Sequence, residues 1–449
     1  MVDVDLATKS EIGHNWIMKW EHSQRYKRSA DFLNVAESLI PLGSQTFSKS
    51  RTQYPPGIAP LFCTHSTGYL TYDLDGNEYV DLVSSLAAVT LGYGVPEINE
   101  AVTAQLSRGV TLSLATTLEF EVADLINSLV PCAEMVRFGK TGSDATAAAV
   151  RLARAYTGRD HILFCGYHGW QDWYIGKTSM NLGVPDVVSS LTHQFQFNDI
   201  ESFRQLVGDL EGQVAAVILE PFAAFLPTVE FIQEIRQTTS DLGILLIFDE
   251  TVTGFRVSKG GAQELLGVTP DLATFGKGIA NGFPISAVTG RREYMKMFDQ
   301  IFFSGTFGGE CLSLVAAKVV LEKVGKGEVV EKIQEVGSQI TESVSQEIDS
   351  SQIKGLSLSG HDSWKFLIWD PAHFQDLNKA KTLFLQEMLL NGVLSLGSHN
   401  VTVAYDQNAV NRVVSAYKNS LSKLKSVEAS QSYDIDLHGE PVQPLFKIR

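Results

Sequence analysis

Four short segments of this 449-residue chain hold residues whose types and spacing could do chemistry, and each comes just after a short apolar run. In an open α/β sheet, ligands gather beyond the carboxyl ends of the strands, so the residues just past each run matter most. After Val136–Gly139 comes Lys140-Thr141-Gly142-Ser143-Asp144, a glycine and hydroxyl turn opening a helix. Such a turn suits an anion such as phosphate; it reads equally as an ordinary N-cap at Thr141 or Ser143. After HILFCGY comes Tyr167-His168-Gly169-Trp170. An aromatic there can stack on a flat ligand or simply fill a core. Trp173 and Tyr174 read as packing or pocket wall, and His168 by itself as a satisfied structural histidine. Ile244–Phe248 is followed by Asp249-Glu250. A carboxylate at that edge needs a positive partner, such as a protonated ring nitrogen, or else it caps the next segment. Leu272–Phe275 leads into Gly276-Lys277-Gly278. Desolvation lowers a lysine pKa and frees the amine for Schiff-base chemistry; the plain alternative is a surface lysine beside a flexible turn.

Two nucleotide readings fail. Gly139-Lys140-Thr141 looks like the end of a P-loop, but the required earlier glycine falls on Glu134. Gly276–Gly282 misses the dinucleotide fingerprint because its last glycine is one residue late. Phosphate turn, stacking aromatic, acid and lysine, each at a strand end, are together what a pyridoxal phosphate site requires.

The elements that must position these residues are readable. HILFCGY (161–167), VAAVIL (214–219), ILLIF (244–248) and ISAVTG (285–290) are short apolar runs bounded by Gly, Pro, Asp or Glu. With helical stretches between them, such as the alanine-rich 143–157, they predict a mostly parallel sheet covered on both faces. Residues 1–60 read as a helical arm and then a loop. TGYLTYDLDGNEYVDL (67–82) reads as a hairpin turning at Asp75-Gly76. The expected division is 1–100 as arm and hairpin, 101–315 as the large cofactor domain and 316–449 as a smaller α+β domain.

Composition narrows the class. The chain is 44% hydrophobic and 19% charged, which excludes disordered, collagenous and disulfide-scaffold classes. With 36 basic and 51 acidic residues its net charge is −15, a poor match for nucleic acid or an anionic membrane. Cys63, Cys132, Cys165 and Cys311 form no CxxC and have no zinc-ligand spacing, so no metal site is expected. Scattered cysteines, no secretory signal pattern and no membrane-length apolar run predict a cytoplasmic location.

From about residue 40 to 425 the chain resembles the class III aminotransferases of fold type I, and within them glutamate-1-semialdehyde aminomutase and its relatives. The resemblance is carried by GSDATAAAVRLARAYTGRD (142–160), GYHGW (166–170), LEP (219–221), IFDETVTGFRVSKGGAQ (247–263), PDLATFGKGIANGFPISAVTGRR (270–292) and SGTFGG (304–309). It implies an α/β fold type I PLP-transferase. Its large domain would hold a mostly parallel, seven-stranded-type sheet, and its smaller α+β domain would combine the C-terminal and N-terminal segments. It implies that Lys277 holds pyridoxal 5'-phosphate as a Schiff base and later moves the substrate proton. Asp249 would pair with the ring nitrogen, Gly142 and Ser143 would bind the phosphate, and Tyr167 would stack on the ring. Thr251 would pack behind the ring and Glu220 would lie near it. Thr306 would reach the phosphate of a neighbouring subunit, implying a homodimer with shared sites.

The substrate side departs from the aminomutase. Glu220-Pro221-Phe222-Ala223-Ala224-Phe225 lacks the asparagine that touches the ring hydroxyl in that enzyme. Gly43-Ser44-Gln45-Thr46-Phe47-Ser48-Lys49 stands where the aminomutase has a motif with serine and arginine, and lysine is no bidentate substitute for arginine. Ser398-His399-Asn400-Val401 replaces its C-terminal glutamate region. Lys49, Trp170, Trp173 and His399 are the candidate substrate walls. The expected activity is transfer of an amino group from a donor such as glutamate to an aldehyde or ketone by a ping-pong route. The acceptor would be a polar intermediate of sugar or secondary metabolism. The alternatives are an intramolecular aminomutase and a non-catalytic cofactor-binding protein.

Overall fold

The computed structural model describes residue 22, residues 24–430 and residues 432–443. The part of the expected arm before residue 22, with residue 23, lies outside the described residues; from Lys27 to Leu39 the chain is helical, and short 3-10 turns come next. The chain forms two compact units. One takes the chain up to Ser84, Val336–Ser359 and the segment from Trp364 onward; the other takes Ser85–Glu335 with Gly360–Ser363.

In the first unit, β1 (Cys63–Thr67), β2 (Leu70–Asp73) and β3 (Glu78–Asp81) form an antiparallel meander. The hairpin turns at Gly76, whose φ of +90° is open to glycine at little cost.

The second unit holds a seven-stranded sheet made of β4 (Met135–Gly139), β5 (His161–Cys165), β6 (Thr192–Gln194), β7 (Val214–Leu219), β8 (Leu245–Asp249), β9 (Leu272–Phe275) and β10 (Ser286–Gly290). The strand order is β4-β10-β9-β8-β7-β5-β6. All neighbours pair in parallel except those of β10, which runs against both β4 and β9. The run 285–290, expected among the parallel strands, is therefore the reversed one. A parallel return needs a crossover of a dozen or more residues, and the Gly276–Ile285 connection is too short. Its only helical stretch is the 3-10 turn Lys277–Ala280.

The central strands are buried on both faces. Ile162, Phe164, Ala216, Ile218, Leu245 and Ile247 pack on one side with Ala148, Ala149 and Leu152 of the Gly142–Thr157 helix. Leu163, Cys165, Val217, Leu219, Leu246 and Phe248 pack on the other with Phe203, Phe231 and Ile235. This is the period-2 alternation of a covered sheet, and each large buried side chain contributes about 1.5–3 kcal/mol. The carboxyl ends of β4, β5, β7, β8 and β9 consequently share one edge.

Four more strands follow, β11 (Leu356–His361), β12 (Trp364–Trp369), β13 (Val393–Leu394) and β14 (Ser398–Asn400). β13 pairs in parallel with β3, so one sheet joins the N-terminal hairpin to the C-terminal segment.

Candidate active site

At the end of β4 the cap and the anion cradle coexist. Thr141 Oγ1 accepts from the Asp144 N–H at 3.3 Å, and Asp144 Oδ2 accepts from the Thr141 and Lys140 N–H groups at 2.8 and 3.0 Å. This capping box squares off the helix. It leaves the N–H groups of Gly142 and Ser143 at the helix's open, positive end. Ser143 Oγ accepts from the Trp170 N–H at 3.2 Å and keeps its own hydroxyl hydrogen to donate. Lys140 points its charge elsewhere, to Glu310 at 3.1 Å.

Two glycines hold this cradle open. A Cβ on Gly142 would stand 3.0 Å from Thr251 Cγ2. A Cβ on Gly169, where φ is +101°, would fall 2.1 Å from Ser143 Oγ. Gly169→Ala therefore has to move Ser143 and strain its own backbone. It is expected to weaken cofactor binding on the order of tenfold or more. Spectroscopic titration of stripped protein with the cofactor checks this, and unchanged affinity would show that the Gly169–Ser143 packing does not shape the cradle.

Asp249 is the last residue of β8 and is 4% exposed. Its Oδ1 accepts from the Thr251 N–H and from Thr274 Oγ1, each at 3.1 Å, and its Oδ2 faces His168 Nδ1 at 2.9 Å. Burial alone would push this carboxyl up. The bond and charge of His168, then the bonds from Thr251, outweigh burial and hold it below the usual aspartate value. Asp249 thus keeps a negative charge at the sheet edge.

On the neighbouring strand, β9 ends at Phe275 and Lys277 opens the next turn with φ of +44°. A non-glycine residue in this left-handed region is strained, and such strain concentrates at functional sites. Asn281 anchors the turn. Its Oδ1 accepts from the Thr90 and Leu91 N–H groups at 2.8 Å each, and its Nδ2 donates to the Gly92 carbonyl at 2.9 Å. Burial pushes the Lys277 amine down, Glu220 and Asp249 push it up, and nearby Arg256 pushes it down; the net direction is down. Glu220, just past β7, accepts from the Tyr167 N–H at 2.9 Å. Burial and then Asp249 raise its carboxyl.

The fold thus brings Gly142, Ser143, Tyr167, Glu220, Asp249, Thr251 and Lys277 to one sheet edge. Tyr167 is 48% exposed, with its ring edge-on to Tyr174 at 5.6 Å, and Trp170 is also exposed. Trp173 and Tyr174 are buried packing. Thr306 is exposed in the second unit and is not tied to this cluster by any hydrogen bond among the described residues. Lys49 is an exposed residue of the first unit. His399 is buried inside that unit, where Nε2 meets the Tyr417 hydroxyl at 2.7 Å. Burial, then Lys365, pushes its ring down to about 4, so it is a neutral interior group and offers no open face to solvent.

The sequence pattern alone does not separate the roles of Asp249 and Glu250. Glu250 is buried and accepts from Thr253 Oγ1 (2.6 Å), the Ala262 and Gln263 N–H groups (2.7 and 3.0 Å) and Gln263 Nε2 (3.3 Å). Adjacent strand residues point to opposite faces, so Asp249 serves the edge and Glu250 ties down the next helix.

These side chains fit pyridoxal phosphate. The helix end and Ser143 suit a phosphate, the ionised Asp249 a protonated ring nitrogen, and the depressed amine of Lys277 an aldehyde. The comparisons agree. The family profile of the aminotransferase class-III family matches residues 53–405. A 3-aminobutyryl-CoA aminotransferase of Cloacimonas acidaminovorans is 30% identical over 411 residues, covering 89% of this chain and 98% of that protein. A glutamate-1-semialdehyde 2,1-aminomutase of Alkaliphilus oremlandii is 38% identical over 333 residues, covering 70% of this chain and 78% of that one. A solved structure of the FumI protein of Sphingopyxis sp. MTA144, in a form that carries PLP, superposes with a TM-score of 0.84 at 26% identity, over 90% of this chain and 98% of that one. The fold and edge define a fold type I PLP enzyme, and the chain belongs to the class-III aminotransferases. Its cofactor is pyridoxal 5'-phosphate.

Proposed function

We propose that this protein moves an amino group from a donor such as glutamate to an aldehyde or ketone acceptor, with Lys277 and Asp249 as its catalytic residues. The observation that carries this reading is the placement of the Lys277 amine and the ionised Asp249 carboxylate beyond adjacent strand ends, on the edge that also holds the Gly142–Ser143 helix end. When bound, the cofactor supplies an aldehyde carbon that exchanges amines and a ring that takes up the electron pair of a broken C–H bond. Gly142 and Ser143 donate to the phosphate. Tyr167 would offer its exposed ring face, and Thr251, beside Gly142, would line the site. Asp249 holds the ring-nitrogen proton in place by its negative charge. Lys277 would hold the cofactor through its side-chain amine. Its amine, whose basicity burial lowers, would move a proton at the substrate carbon. Glu220, fixed by the Tyr167 N–H, flanks this path.

The acceptor we propose is a polar intermediate of sugar or secondary metabolism, since the aminomutase motif around Lys49 is altered while the cofactor residues are kept. The working form is a homodimer in which Thr306 reaches the partner's phosphate. Exposed apolar Phe120, Phe302 and Phe307 on the second unit support an interface. Four free cysteines support a cytoplasmic location. The similarity to an aminomutase favours one second reading, intramolecular amine transfer. Incubation of the holoenzyme with glutamate and a panel of carbonyl acceptors tests the first. Amine transfer only within a single substrate, with no added donor, would select the second.

A further inference from the structure

Arg256 has the largest of the fully buried side chains among the described residues and is 1% exposed. A guanidinium is always charged, and charge is costly to bury without partners. Its Nη1 donates to the Ser363 carbonyl and its Nη2 to the Ala87 carbonyl, each at 3.2 Å. All three residues belong to the second unit. Ala87 ends a left-handed run, with φ of +51° at Ser85, +60° at Leu86 and +65° at Ala87. None of these is glycine, so each is strained, and such strain persists only where the surroundings impose it. The chain from Ala87 onward lies against the lysine turn. A Cβ on Gly278 would stand 2.5 Å from Thr90 Oγ1 and 3.9 Å from the Ala87 carbonyl oxygen. Asn281 bonds Thr90, Leu91 and Gly92. Arg256 thus fixes one end of this support and Asn281 the other. The segment that carries Arg256 is itself packed on β9, the strand that leads to Lys277. A Cβ on Gly254 would fall 2.4 Å from the Phe275 ring, and the Phe255 and Phe275 ring centres are 5.0 Å apart.

We infer that Arg256 is a positioning residue for Lys277: its buried guanidinium holds the Ser85–Ala87 run against the lysine turn and keeps a fixed positive charge near the amine. The inference rests on the proposed role of Lys277. A planar fork reaches two carbonyls from separate segments at once, so a lysine here would keep the charge and lose the double hold. Burial lowers the basicity of the Lys277 amine most; Glu220 at the end of β7 and Asp249 at the end of β8 raise it, and Arg256 lowers it. His168 stands behind Asp249, and the Tyr167 N–H holds Glu220. Two carboxylates alone would draw a proton onto the amine, and Arg256 offsets that pull.

The test is a pH titration of the visible band of the holoenzyme, compared among wild type, Arg256→Gln and Arg256→Lys. Glutamine removes the charge, so the band's midpoint is expected to move to higher pH by about one unit. Lysine keeps a charge, so its midpoint should stay near that of wild type, while kcat falls on the order of tenfold from the lost fork. An unshifted midpoint in Arg256→Gln overturns the inference. Adding Ala87→Gly to Arg256→Lys tests the hold, because glycine adopts a φ of +65° without strain. Recovery of kcat by about threefold or more is expected, and no recovery overturns the inference. This second comparison decides the matter even where Arg256→Gln fails to fold. The two readings fail separately. A protein with no visible band contradicts the proposed function, whereas a normal band whose midpoint ignores Arg256 contradicts only this inference.

Discussion

A Lys277→Ala variant is expected to lose at least about 10⁴-fold in amine-transfer rate while keeping its fold. The loss is large because one amine performs two tasks, the covalent hold on the cofactor and the proton movement at the substrate carbon. The neighbouring elements do not depend on that amine. The turn is held by Asn281 through three bonds to residues 90–92. Alanine inherits the φ of +44°, so the local strain is unchanged. Thermal melting should stay close to wild type, and single-turnover assays with glutamate should show no measurable transfer. Normal turnover would mean that the lysine has been assigned wrongly.

Asp249→Ala is expected to cost on the order of a thousandfold in rate, together with about 3 kcal/mol of stability. Removing the carboxylate strands three donors at once: the Thr251 N–H, Thr274 Oγ1 and the buried His168 ring. Asp249→Asn keeps the shape and removes the charge, so it should lose most of the rate and less of the stability. Urea unfolding alongside steady-state kinetics separates the two effects. The pH dependence has a definite sign. The folded-state value of Asp249 lies below its ordinary 3.8. Its stabilisation is therefore fully present above about pH 4 and fades as pH falls through the lower folded value. Stability of the wild type should decline on the acid side more steeply than that of Asp249→Asn. Parallel acid limbs would contradict the buried charge.

The strands and the long helix were legible because each is a local pattern. Val214–Leu219 has no polar residue, and Ala148 and Leu152 recur at helical spacing. The reversed direction of β10 was less visible, since an apolar run carries no arrow and only the length of its connection does. Asp249 and Lys277 stood out because charged residues at the ends of apolar runs need an explanation. His168 did not, because its two partners lie 3 and 81 residues away and only the fold brings them to one ring. Glu250 was hidden in the same way, its donors coming from Thr253 and residues 262–263. His399 falls where the resemblance places the aminomutase's C-terminal glutamate region, but burial against Tyr417 makes it part of an interior.

The central claim is a reactive Schiff base between Lys277 and pyridoxal phosphate that accepts an amino group. The near-ultraviolet and visible spectrum of the purified protein, before and after addition of glutamate, tests it most directly. A yellow protein whose visible band bleaches with glutamate is the predicted result. A protein that stays colourless after incubation with pyridoxal phosphate would contradict it.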